Sequence, residues 1–132
     1  MPAPEAINFN KDSIFQLKPI EPEKINPMVR DFLIPGETIL QGFKTVRDQL
    51  IFTNKRIIAV NVQTIGVRKL FTCMPYKYIQ YFSVQTPELL EIISDAELVL
   101  HFTNGFSAKF EFQGQTNLGQ IVQMISQPIL KD

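Results

Sequence analysis

Between Glu37 and Phe112 the apolar residues come in short runs, each broken by a turn signal before it reaches helical length. Phe106, Ala108, Phe110 and Phe112 fall on one face of the last run, with Ser107, Lys109 and Glu111 on the other. A period of two is what a pleated strand buried on one side requires. Further extended runs are read over residues 39–48, 50–53, 56–62, 69–74, 79–85 and 97–102, seven strands in all. Within 79–85, Ile79, Tyr81 and Ser83 alternate with Gln80, Phe82 and Val84. Asn54-Lys55 reads as a tight turn, residues 63–68 with Gly66 as a loop, and residues 89–94 as a short helix or irregular crossover. Asn104-Gly105 predicts a type I′ hairpin, which needs positive φ at both central residues.

Helical signals flank this region. Asn26-Pro27 pairs an N-cap residue with proline at the first helical position, opening a helix that carries Met28, Val29, Phe32 and Leu33 and stops before Pro35-Gly36. Asn10 is a candidate cap for a shorter helix reaching Leu17. At the other end Asn117 and Gln120 form a capping-box-like pair. Leu118, Ile121, Val122 and Ile125 then make one apolar stripe, which Pro128 is expected to end. Gly119 weakens this helix by roughly 1 kcal/mol relative to Ala, so it needs a surface to lie on. Seven short strands and a terminal amphipathic helix predict a mainly β antiparallel barrel or sandwich, closed around a phenyl-rich core and stoppered by the helix. Eleven Phe and no Trp fit such a core. Residues 1–30, rich in proline, form an N-terminal arm, and residues 31–132 the domain proper.

Thirteen basic residues balance thirteen acidic ones, so no bulk field draws the whole molecule to nucleic acid, and none is expected as a partner. The balance is uneven along the chain. Lys44, Arg47, Lys55, Arg56, Arg68, Lys69 and Lys77 face only Asp48 in one stretch; Glu88, Glu91, Asp95 and Glu97 have no basic neighbour in the next. The acidic order does not match a calcium loop, and neither a phosphate-binding loop nor zinc spacing occurs, so no cofactor or metal is expected. Cys73, the single cysteine, excludes an internal disulfide and reads as a small buried hydrophobe. His101 is the single histidine, and local spacing places no Ser, Cys or Asp beside it. No catalytic constellation follows. Residues 1–10 lack the basic and apolar regions of a secretory leader, and no apolar run reaches spanning length, so a cytoplasmic protein is expected.

Phe32-Leu33-Ile34-Pro35-Gly36-Glu37, Arg47-Asp48 and Phe52-Thr53-Asn54-Lys55-Arg56 resemble the bacterial pleckstrin-homology (PH-like) family. Pro75-Tyr76, Ile79, Phe82-Ser83-Val84 and Asp95-Ala96-Glu97-Leu98 extend the likeness, which spans residues 32–130. The resemblance implies a seven-stranded PH-like barrel with a C-terminal helix. It also implies a ring-forming homo-oligomer of five-fold symmetry, in a family with no established ligand. Gln85 and Pro87-Glu88 depart from the family pattern.

Two functions are expected from these readings. The first is a non-catalytic assembly module, whose basic and acidic segments suit head-to-tail contacts. The second is weak binding of anionic lipid or another anion through a basic rim of Lys44, Arg47, Lys55, Arg56, Arg68 and Lys69. Eukaryotic PH domains commonly hold phosphoinositides on a long loop between their first two strands. Here that connection, Arg47-Asp48, is too tight to wrap a headgroup, and Asp48 is expected to pair with Arg47.

Overall fold

Hydrophobic runs of two different textures build two different sheets. In the computed structural model, which describes residues 17–62, 68–85, 96–113 and 116–130, eight strands divide into a five-stranded and a three-stranded antiparallel sheet. The first sheet runs in chain order through β1 (Lys18–Ile20), β2 (Ile39–Lys44), β3 (Gln49–Thr53), β4 (Arg56–Val62) and β5 (Lys69–Pro75). The second holds β6 (Ile79–Gln85), β7 (Ala96–Phe102) and β8 (Ser107–Phe112). Helix α1 (Pro27–Phe32) follows β1, and α2 (Leu118–Ile129) ends the described chain. None of the described helices is long and apolar enough to cross a membrane.

The inner faces of both sheets enclose one core, in which Phe43 meets Phe52 and Phe112 edge to face at 5.6 and 5.0 Å. Ile121, Met124 and Ile125 bring α2 into that core with Leu118 packed against it, so the helix stoppers the sandwich as expected. Met124 enters the core where the stripe has Val122, which is only half-buried. Asn117 caps it by accepting from the Gln120 N–H at 3.1 Å. A second apolar layer lies on the outer face of the larger sheet, where Ile20, Ile25 and Val29 cover Ile51, Ile58 and Val60. Gly42 lets this layer approach, since a Cβ there would stand 3.0 Å from Ile25. Met28, expected on the packed face of α1, is exposed, because Val29 alone of that helix is fully buried.

Several expectations are corrected. The barrel is not closed: Pro75 ends β5 with a residue lacking an N–H, and the 3-10 turn Tyr76–Tyr78 carries the chain into the other sheet. On the opposite flank one residue among those described joins the sheets, Leu17 exchanging hydrogen bonds with Glu111 and Gln113 at 2.8 and 3.0 Å. The expected strand count rises from seven to eight because β1, inside the segment read as an arm, pairs with β2. Val46 leaves the strand and stands 87% exposed in the β2–β3 turn. A bulge between Ile79 and Tyr81 reverses the facing of β6, so that Ile79, Phe82 and Val84 turn inward and Tyr81 outward. In the β7–β8 turn only Gly105 has positive φ, and its N–H donates to the Phe102 carbonyl at 3.0 Å. That is a type I turn with a glycine bulge, not type I′. Helix α2 runs past Pro128 to Ile129, because a missing N–H in the last turn removes one bond only. The readings over residues 10–16, 63–67 and 86–95 lie outside the described residues.

Candidate interaction surface

The β3–β4 turn is fastened to the chain before β2 by a polar network. Glu37, whose side chain is wholly buried, accepts from Arg56 Nε at 2.9 Å, Arg56 Nη2 at 2.9 Å, Thr53 Oγ1 at 2.7 Å and the Ile34 N–H at 3.1 Å. Arg56 Nη2 also donates to the Phe32 carbonyl at 2.6 Å. Asn54 accepts from the Thr38 N–H and donates to the Gly36 carbonyl, while the buried Tyr76 hydroxyl donates to the Thr53 carbonyl. Gly36, at φ +84°, makes the bend that returns Glu37 to Arg56. Burial pushes the Glu37 carboxyl upward, but the hydrogen bonds from Arg56, Thr53 and Ile34 and the Arg56 charge hold it below its ordinary value. Arg56 is raised above its ordinary value, first by its hydrogen bond to Glu37. Burial, then the Glu37 charge, pushes the Tyr76 phenol upward.

The six cations expected on one rim are divided between opposite ends of the larger sheet. Lys44, Arg47, Arg68 and Lys69 stand at one end, where Lys18 lies directly across from Lys44. Lys55 and Arg56 stand at the other, about 20 Å away along the six residue steps of β4. Arg56 is committed to Glu37 and is not free to hold an anion. Asp48 does not pair with Arg47: its carboxylate accepts from the Val62 N–H at 2.8 Å and from Asn61 Nδ2 at 3.2 Å, tying β4 to the β2–β3 turn. Cross-strand geometry hides such pairings from a linear reading.

At the Lys55 end a cleft of about 990 Å3 opens between the β3–β4 turn, the Tyr76–Tyr78 corner and α2. Lys55 and Lys77 form its cationic wall, Gln123 and Gln127 its amide wall, and Ile34 and Leu40 its apolar lip. Ile34 and Leu40 are both exposed, at 54% and 43%. Beside the cleft, β5 and β6 are the outermost strands of their sheets, and neither has a second strand partner among the described residues.

Two groups differ from expectation here. Cys73 is exposed, because β5 is an edge strand and Met74 takes the inward position. His101 does have a hydroxyl neighbour: Ser107 lies across the β7–β8 pair with its Oγ 2.9 Å from His101 Nδ1. The hairpin register, not the spacing, makes that contact. Tyr81 stacks on the same imidazole at 4.1 Å, on an open sheet face. No cluster of metal-ligating side chains occurs among the described residues.

Comparison with known proteins accords with this architecture. Residues 8–129 match the family model of the bacterial PH domain. The chain belongs to that family. This bacterial PH domain is similar to two uncharacterised proteins of Bacillus subtilis (strain 168). YozO is 31% identical over 94 residues, which cover 71% of this chain and 80% of YozO. YjqA is 40% identical over 67 residues, half of this chain and 54% of YjqA, so the match spans about half of that relative. Among solved structures, a DUF1696 family protein with a pleckstrin-homology domain from Shewanella loihica PV-4 shares the fold with a TM-score of 0.74 at 22% identity, covering 87% of this chain and 98% of its own. A pleckstrin homology domain from Shewanella amazonensis SB2B has a TM-score of 0.59 at 28% identity, covering 77% and 82%.

Proposed function

We propose that this PH-like domain is a non-catalytic assembly module, joining copies of itself edge to edge into a closed ring that meets another protein. The observation that carries the reading is the pair of open strand edges, β5 on one sheet and β6 on the other. An open edge presents unpaired N–H and C=O groups, a template for another chain. Two different edges on one protomer favour a head-to-tail contact, which closes when its rotation divides a full turn. Five-fold closure is the expectation drawn from the family likeness. Light scattering at moderate salt should give a mass several times 15.2 kDa. Cys73→Lys with Ser83→Lys, which adds charge to both edges at exposed positions, should return the monomer with its fold intact. A clean wild-type monomer at high micromolar concentration would overturn the reading.

A second reading, weak docking to anionic lipid, is favoured by Val46. It is the most exposed large apolar residue among those described, and it sits between Lys44 and the exposed Arg47 with Lys18 close by. Each cation near a charged bilayer contributes about 1 kcal/mol. Sedimentation with phosphatidylserine and with phosphatidylcholine vesicles tests it; binding indifferent to lipid charge removes it.

A further inference from the structure

The cleft at the Lys55 end has the chemistry of a socket for an acidic, apolar-flanked segment. Lys55 and Lys77 make no ion pair among the described residues, and Lys77 is steadied over the Tyr78 ring at 5.2 Å. Glu37, the carboxylate in the lining, is neutralised by Arg56, so the wall as a whole is positive. Next to these charges lie the exposed side chains of Ile34 and Leu40.

One stretch of this chain has the complementary pattern. Glu88-Leu89-Leu90-Glu91-Ile92-Ile93 sets two carboxylates three residues apart among aliphatic side chains, and no Lys or Arg occurs from Phe82 to Leu100. The stretch could reach the cleft of its own protomer only at the limit of chain extension. It is anchored at Gln85 and Ala96, paired ends of β6 and β7, and the cleft lies beyond the far end of β6, about 20 Å off. Out and back is some 40 Å, and eleven fully extended residue steps cover about 36–40 Å, so the chain would have to run taut both ways with none left to seat in the cleft. A second copy has no such constraint.

We propose that the Lys55–Lys77 cleft of one copy receives the acidic segment, residues 86–95, of the next. The inference rests on the assembly reading and gives it a second, electrostatic contact. Seating the segment there brings the Gln85 end of β6 of one copy toward Pro75, at the end of β5, of its neighbour.

Charge exchange in the full chain tests it. Lys55→Glu with Lys77→Glu should lower the mass seen by light scattering to that of the monomer, and so should Glu88→Lys with Glu91→Lys. All four changes together should restore the multimer. A synthetic peptide of residues 86–95 should bind the edge-blocked Cys73→Lys, Ser83→Lys monomer, with at least tenfold weaker binding after Lys55→Glu and Lys77→Glu and weaker binding as salt rises. Both double variants keeping the wild-type mass, with no peptide binding, overturn the cleft contact and leave edge assembly standing. A monomeric wild type that still binds the peptide overturns edge assembly and leaves the cleft as an acidic-segment site.

Discussion

Among the described residues the larger sheet is covered on both faces and the smaller on one, and the two textures of sequence record the difference. Leu50-Ile51-Phe52 and Ile57-Ile58-Ala59-Val60 are unbroken apolar runs, all buried, because alternate residues enter the main core and the layer beneath α1. In β7 burial alternates strictly: Ala96, Leu98, Leu100 and Phe102 are buried, while Glu97, Val99 and His101 between them are half-buried. Tyr81, His101 and the Lys109–Glu97 pair lie on the open outer face. A continuous apolar strand in a small antiparallel protein therefore reports a second covering layer, here supplied by the chain before β2.

The contrast can be broken at matched positions. The largest effect belongs to the ion pairs. Arg56→Ala leaves the buried Glu37 carboxylate without its cation and should lower unfolding stability by about 3–5 kcal/mol. Lys109→Ala, which removes the exposed pairs with Glu97 and Glu111 on the open face, should change it by less than about 0.5 kcal/mol. Urea denaturation of both variants checks the ratio. Next come the outward aliphatic residues: Ile58→Ala should cost about 2–5 kcal/mol, and Val99→Ala about 0.5 kcal/mol, in the same assay. Equal losses would mean that the outer layer contributes little.

A smaller effect is expected of Gly42→Ala. The added methyl must displace Ile25 and Ile20, 3.0 and 3.1 Å away, at about 1–3 kcal/mol, and Ile25→Val in the same chain should recover part of the loss. The smallest is a pH slope. Glu37 titrates below its ordinary value of 4.5 when folded, so its contribution is present above that pH and lost as pH falls through the folded value. Melting temperatures from pH 6 to pH 3 should fall more steeply for the wild type than for Glu37→Gln.

Much of the fold was legible because local signals agreed with tertiary packing. The bounds of β4 and β6 match the runs read from the sequence, and Asn26 and Asn117 cap their helices as their side chains predict. Strand β1 was not legible: Lys18-Pro19-Ile20 has no pattern of its own and becomes a strand by pairing with β2. The bulge in β6 was invisible for a related reason, since it depends on register with β7. Far less of the surface could be read. Arg56 looked like one more free cation until the hairpin brought Glu37 against it, and Lys44 and Lys55 looked like neighbours until the length of the strands separated them.

The topology carries a kinetic consequence. Within each sheet every pairing joins strands that follow one another in the chain, so both layers can grow from local hairpins at small loop-closure entropy. The Leu17–Phe112 bridge is the exception, for it closes a loop nearly the length of the described chain. That seam, on the flank opposite the one where copies are proposed to meet, is expected to form late as the molecule folds and to open early, which hydrogen exchange at the Leu17 and Gln113 amides would check.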